Sequence, residues 1–191
     1  KLVWLREDDM RGGYYRPLFH HALQAGLDAQ GNIVGWQHRL VGQSILIGSP
    51  FEKVMVKDGI DHVSVEGASN LPYAIPNLTV DLHTPTDIPV TVLWWRSVGS
   101  SHTAFSTEAF LDEVAVAAGK DPYALRLELL EKHPRHAAVL KLAAEQAGWG
   151  TPLKAGKPGE RRGRGIAVHE SFNSFVAQVA EVTVGKDGSV R

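Results

Sequence analysis

Hydrophobic and polar positions along this chain divide it into a strand-like first part, a helical middle and a strand-like end. Lys1-Leu2-Val3-Trp4-Leu5 reads as an opening strand. Arg6 to Pro17, dense in charge and carrying Gly12-Gly13 and Pro17, reads as a helical turn or loop. His20 to Asp28 and Ile33 to Ser44 are patterned as strands on either side of Asp28-Ala29-Gln30-Gly31-Asn32, which predicts a hairpin of two long antiparallel strands. His20 and His21, as neighbours on a strand, face opposite sides and cannot chelate one metal; one points inward and one outward. Between Ile45 and Pro76 the breakers Gly48, Pro50, Gly59, Gly67, Pro72 and Pro76 exclude a long element, so an excursion across the surface is expected. Strands return at Asn77 to Thr84, where Leu78, Val80 and Leu82 alternate, and at Val90 to Trp95, with one of Trp94 and Trp95 expected in the core.

The period then changes from two to that of a helix. A Ser-Ser pair suited to N-capping precedes Phe110, Leu111, Val114, Ala115 and Ala118, predicting a helix from about Ser101 to Ala118 that ends at Gly119. Asp121-Pro122 starts a second, with Leu125, Leu129 and Leu130 on its buried face, stopped by Pro134. His136 to Ala147 is the third, with Gly148 just past its end. A Gly- and Pro-rich connector from Gly150 to Gly165 leads to strands at Ile166–Phe172 and Phe175–Val184, and Val176, Ala177, Val179, Ala180 and Val182 predict burial on both faces. The fold class is therefore α+β: antiparallel strands from both ends of the chain with a central three-helix segment. Residues 1–100 form a mostly β part, 101–150 a helical segment, and 151–191 a linker with the start of a further β lobe. The chain opens without Met and closes on the turn signal Gly185–Ser189 with a second strand barely begun, so it reads as an internal piece of a longer protein.

Composition narrows the function classes. A formal net charge of -1, with 43% hydrophobic residues, gives no general attraction to nucleic acid, and the basic cluster Lys154, Lys157, Arg161, Arg162 and Arg164 reads as a solvated loop. Cysteine is absent, which excludes disulfides but leaves the compartment open, and no apolar run approaches the roughly 18 residues of a membrane span. No metal site is called: Pro134 breaks the His133/His136 spacing, and His169 and Glu170 point to opposite faces of a strand. The strongest chemistry lies in Trp95-Arg96-Ser97-Val98-Gly99-Ser100-Ser101-His102, where a planar cation and several hydroxyls stand at a helix start, a workable anion site. An ordinary capped helix with Arg96 paired to a carboxylate explains the same residues.

Several blocks, in order, carry a resemblance: Trp4–Met10 with Tyr14–Pro17, Gly35–Arg39 with Gln43–Ile45, Trp95–Gly99, Ala147–Gly150 and Val176–Val182. Together they resemble the middle of the large, molybdopterin-binding subunit of the xanthine dehydrogenase and aldehyde oxidase family, in the branch that holds the beta subunits of isoquinoline 1-oxidoreductase. The resemblance implies a fragment of a molybdopterin-binding domain from an oxidoreductase that hydroxylates an N-heterocycle or aldehyde and passes electrons to a small iron–sulfur subunit. It gives Arg96 a catalytic place beside substrate and pterin, Ser97, Gly99, Ser100 and Ser101 the cofactor side, and His102, Phe172 and Phe175 the substrate lining. Ser97 replaces the glycine that follows the arginine in the family's turn. The family's glycine-rich cofactor loop and its general-base glutamate are expected outside this chain, so the isolated piece is expected to be inactive and to bind molybdopterin weakly or not at all. The rival readings are a non-catalytic anion-binding module and a subunit-assembly module.

Overall fold

Alternation along Phe19–Leu27 (β1) and Ile33–Gly42 (β2) produces a hairpin whose connection is shaped by Asp28, which accepts the amides of Gln30 and Asn32 on Oδ1 at 2.9 and 2.8 Å. In the computed structural model, which describes residues 1–191, β2 is also paired in parallel with the strand Leu78–His83, from Trp36 opposite Leu78 to Val41 opposite His83. A parallel neighbour needs a crossover, and the excursion through residues 45–76 supplies it. That excursion holds a helical turn, Glu52–Met55, two short paired strands, Val56–Lys57 and Ile60–Asp61, and a 3₁₀ turn, His62–Val65. Asp61 caps the 3₁₀ turn, and its Oδ2 also accepts the hydroxyls of Ser44 and Ser64 at 2.5 and 3.0 Å.

Two expected strands are not formed. Residues 1–5 pair with nothing; the Asp8 carboxylate accepts the Leu5 amide at 3.0 Å and turns the segment into a helix, Arg6–Gly12. Val90–Trp95 reduces to one bridge, Val92 to Tyr15, because Pro17 lies just beyond and has no amide to extend the pairing. Trp94 and Trp95 are both substantially exposed, so neither takes the core position expected for one of them.

Three helices follow: α1, Ser100–Ala117; α2, Pro122–Leu129; and α3, Pro134–Gln146. Asp121 Oδ1 accepts the Ala124 amide at 2.9 Å, with Pro122 at the first helical position of α2. Pro134 does not stop α2, which already ends at Leu129; it opens α3, where a missing amide hydrogen costs nothing. His133 and His136 meet edge to face with ring centroids 5.5 Å apart, and no group of three or more His, Asp or Glu side chains gathers around them.

The last strands, β3 at Arg161–Ser171 and β4 at Ser174–Val184, pair antiparallel from Arg161 opposite Val184 to Ser171 opposite Ser174. Arg161, Arg162 and Arg164 thus stand on a strand rather than in a loop, and Arg162 and Arg164 both reach the Glu181 carboxylate. The double-sided burial expected for β4 is not observed. A two-stranded sheet backed by α3 covers one face, and Val176 and Val182 remain exposed. At the end of the chain Val190 bridges back to Val184, the barely begun strand expected there.

The chain divides into two compact units, each discontinuous in sequence. The first comprises 1–24, 36–70 and 78–106, with Leu40, Val65 and Ala68 at its centre and Phe19, Val80 and Leu82 around them. The second comprises 25–35, 71–77 and 107–191, with Leu111, Leu125, Leu130, Leu140, Ile166 and Val168 buried.

Candidate functional site

The turn that leads into α1 is held in an uncommon shape. Ser97 and Val98 both have positive φ, 69° and 44°, a region costly for residues with a Cβ and usually kept for a local purpose. Gly99 follows because nothing else fits: a Cβ there would lie 2.0 Å from the Val63 carbonyl oxygen. That close approach brings the Glu66 carboxylate onto the helix start, where Oε1 accepts the amides of Gly99 at 2.8 Å and Ser100 at 3.3 Å. The amides of Ser101 and His102 are taken by the carbonyls of Val98 and Gly99. The anion expected at these amides is therefore already supplied by the chain's own carboxylate, which also satisfies the macrodipole.

The side chains of the turn divide in the same way. Ser101 donates its hydroxyl to the Arg96 carbonyl at 2.9 Å and accepts from Arg16 Nη1, so it is committed to holding the turn. The Arg96 carbonyl is thus engaged, by Ser101 and by Arg16 Nη1 at 3.1 Å, but the Arg96 guanidinium and the Ser97 hydroxyl are exposed and bond to no other side chain. A guanidinium and a hydroxyl left free beside a strained turn are a donor set that suits the anionic oxygens of a phosphorylated cofactor or a substrate carboxylate.

Beside the turn lies an open cleft lined by Arg16, Phe19, Trp94, Trp95, Gly99 and His102. His102 stacks on Phe19 with ring centroids 3.9 Å apart and planes 9° from parallel. Phe19 has room because residue 42 is glycine; a Cβ there would come within 2.5 Å of the ring. His102 Nδ1 lies 3.2 Å from His21 Nε2, and His21 Nδ1 lies 2.7 Å from His38 Nε2, so three imidazoles form one hydrogen-bonded row. Burial holds all three below the ordinary histidine value: His38 at about 4, His102 at about 3, and His21 lowered as well, the neighbouring imidazoles adding to the effect. The sequence placed one of His20 and His21 inward, and the resemblance placed His102 at the substrate side, but nothing in the spacing linked either to His38.

Arg96, Ser97, Gly99, Ser100, Ser101 and His102 are thus brought together in the first unit. Phe172 and Phe175 belong to the second. Phe172 occupies the β3–β4 turn with Asn173, both at positive φ, and is exposed. Phe175 is packed, with the Arg135 guanidinium 4.0 Å from its ring centroid and His136 edge-on at 4.7 Å. The second unit is organised by Glu108, which sequence reasoning did not single out. Its carboxylate accepts from the Tyr73 hydroxyl at 2.6 Å, Arg126 Nε at 2.9 Å and the Val168 amide at 3.0 Å. Burial works against the charge on Arg126, but Glu108, Tyr73 and Asp112 outweigh it and hold its pKa above the usual value. Every one of these groups is engaged within the unit, which marks a scaffold rather than a reactive centre.

Residues 1–130 match the sequence profile of the family described as the molybdopterin cofactor-binding domain. The chain belongs to that family. The molybdopterin-binding domain is 27% identical over 183 residues to the beta subunit of isoquinoline 1-oxidoreductase from Brevundimonas diminuta, covering 95% of this chain and 23% of the relative. It is 29% identical over 181 residues to a nicotinate dehydrogenase subunit from Pseudomonas putida, covering 86% of this chain and 15% of that protein. Both relatives are named as subunits, and the domain spans less than a quarter of either. Its fold is that of part of quinoline 2-oxidoreductase from Pseudomonas putida 86, with a TM-score of 0.63 at 12% identity over 87% of this chain and 23% of that one.

Proposed function

We propose that this domain forms part of the cofactor-binding catalytic subunit of a molybdenum hydroxylase that oxidises an N-heterocycle or an aldehyde. The observation that carries the reading is the strained Arg96–Gly99 turn, which leaves Arg96 and Ser97 free beside an aromatic cleft within the stretch matching the molybdopterin-binding family. In this reading the Arg96 guanidinium and the Ser97 hydroxyl hold anionic oxygens of the cofactor or substrate, and Gly99, Ser100 and Ser101 fix the turn that aims them. The bound cofactor supplies the redox chemistry. Arg96 orients the substrate and steadies negative charge that develops on it. Phe172 and Phe175, on the second unit, are proposed separately as aromatics that meet substrate in the full-length protein. Trp4, Tyr14, Trp94 and Trp95 form exposed aromatic surface in the first unit, suited to a protein partner, and the small iron–sulfur subunit is the partner this reading calls for.

The test is elemental analysis of the full-length polypeptide produced in a host that makes and inserts the cofactor. Near-stoichiometric molybdenum with releasable pterin is expected, and Arg96→Ala should then lower kcat/KM by about a hundredfold, the loss typical of one charge-stabilising donor. Folded protein free of molybdenum from such a host would overturn the proposal.

A further inference from the structure

The row His38, His21, His102 has a direction, and the direction follows from where it ends. A neutral imidazole carries one hydrogen, so each ring in a row donates on one side and accepts on the other. Two arrangements satisfy both observed contacts. In one, every ring carries its hydrogen on Nε2: His38 donates to His21, His21 donates to His102, and His102 Nε2–H is left pointing away from the row. In the other, every hydrogen sits on Nδ1 and all arrows reverse. The two differ in the atom left over at the inner end. His38 is fully buried, and its Nδ1 has no partner. The first arrangement leaves a lone pair there, and the second leaves an N–H donor. A buried donor without an acceptor is the rarer and costlier of the two. The first arrangement also uses in all three rings the tautomer that imidazole side chains prefer in water.

The outer end is equally defined. His102 lines the cleft, its Nε2 bonds to nothing in the chain and is not buried, and its ring is clamped between the bond to His21 and the face of Phe19. We propose that His38, His21 and His102 form a one-way hydrogen-bond relay in which His102 offers a fixed Nε2–H donor to an acceptor atom of a ligand at the mouth of the cleft. His102 is then a ligand-orienting residue, with His21 and His38 as its positioning residues. The charged or titratable groups acting on the row from neighbouring elements are Arg16 and His20, both of which favour its neutral form. The identity of the ligand as a substrate rests on the molybdenum hydroxylase reading; the polarity of the row does not.

The experiment is ¹⁵N NMR of the full-length polypeptide labelled at histidine, which reads the tautomer of each ring directly. The Nε2–H tautomer is expected at His21, His38 and His102. It should persist at the two remaining rings in His38→Gln, where the amide can still donate to His21, and also in His38→Leu, where the reversed arrangement would leave a donor at His21 Nδ1 without an acceptor. An Nδ1–H tautomer at His102 in the unaltered protein overturns the relay, and so does a switch of His21 and His102 to the Nδ1–H tautomer in His38→Leu. If His38→Leu does not fold, the unaltered protein and His38→Gln still decide the matter. Isoquinoline, which offers a ring nitrogen alone, and benzoate, which offers a carboxylate alone, are then added separately. A shift of His102 Nε2 with one of them identifies the acceptor class, and His102→Ala should weaken that probe about tenfold, the effect of one hydrogen bond. No shift with either at saturation overturns the orienting role. All of these readouts stand whether or not molybdenum is present, so failure here is distinct from failure of the cofactor reading.

Discussion

Glu66 in the first unit and Glu108 in the second are both internal carboxylates, yet their surroundings differ in kind. Glu66 faces two backbone amides at a helix start, beside a turn with two strained residues and a histidine row that ends in an unpartnered nitrogen. Glu108 faces a cation, a phenol and an amide, and each of those groups is satisfied in turn. There the chemistry is used up in holding helices and strands together, and the second unit's own unpartnered atoms, Thr107 Oγ1 and His169 Nε2, stand outside that network. In the first unit two strained residues stand beside a cleft, where a ligand can use them.

The sharpest way to break this comparison is to remove the cation from the second unit. Arg126→Met leaves the Glu108 charge buried against Tyr73 with Asp112 no longer bridged, and a loss of about 3–5 kcal/mol is expected in urea unfolding. Combining it with Glu108→Leu should recover part of that loss, because the uncompensated charge goes too. A double variant as unstable as Arg126→Met plus Glu108→Leu measured separately would mean that the two residues do not act on each other.

A second, smaller effect comes from the histidine row of the first unit. His38 at about 4 and His102 at about 3 stay neutral in the folded protein over a range where the unfolded chain, near 6.5, binds protons. Below about pH 6.5 the unfolded state therefore holds more protons and stability falls as pH drops, whereas above it these groups contribute no pH dependence. Each contributes a slope of at most about 1.4 kcal/mol per pH unit between 6.5 and its folded value. Urea unfolding followed between about pH 7 and pH 5 should show the decline, and His38→Gln should make it shallower. An unchanged slope would place the acid sensitivity outside the histidine row.

Much of this architecture was legible in the chain because local rules agree with the fold. The β1–β2 hairpin follows from alternation around a turn shaped by Asp28, and α2 from Asp121-Pro122, both signals that need no tertiary partner. Two of the failures, at Val90–Trp95 and in the pairing of β2, share one cause. Val90–Trp95 has strand composition, but whether it forms a strand depended on Tyr15 and Pro17, which lie far away in sequence. The parallel pairing of β2 was invisible because the residues that choose it are separated by the whole excursion. For the site, the turn residues were found by resemblance and by helix-start chemistry, yet the amides they were expected to offer are closed by Glu66, and no pattern announces a carboxylate 33 residues before the helix it caps. The histidine row was hidden for the same reason, its members separated by 17 and 81 residues.

The smallest expected effect sharpens the opening comparison directly, because it makes the same chemical change at both glutamates. Glu66→Gln keeps an oxygen able to accept the Gly99 amide and loses only the attraction between a negative charge and the helix start, about 0.3–1 kcal/mol. Glu108→Gln instead removes a charge buried against a cation: the amide oxygen can still accept from Arg126 and Val168 while the NH₂ donates to the Tyr73 oxygen, which leaves the Tyr73 proton without its acceptor and the Arg126 charge shared with Asp112 alone. Its loss should be several times larger in the same urea unfolding experiment. Equal losses would mean that the helix start is as tightly compensated as the second unit, and the contrast between a poised turn and a finished scaffold would fall.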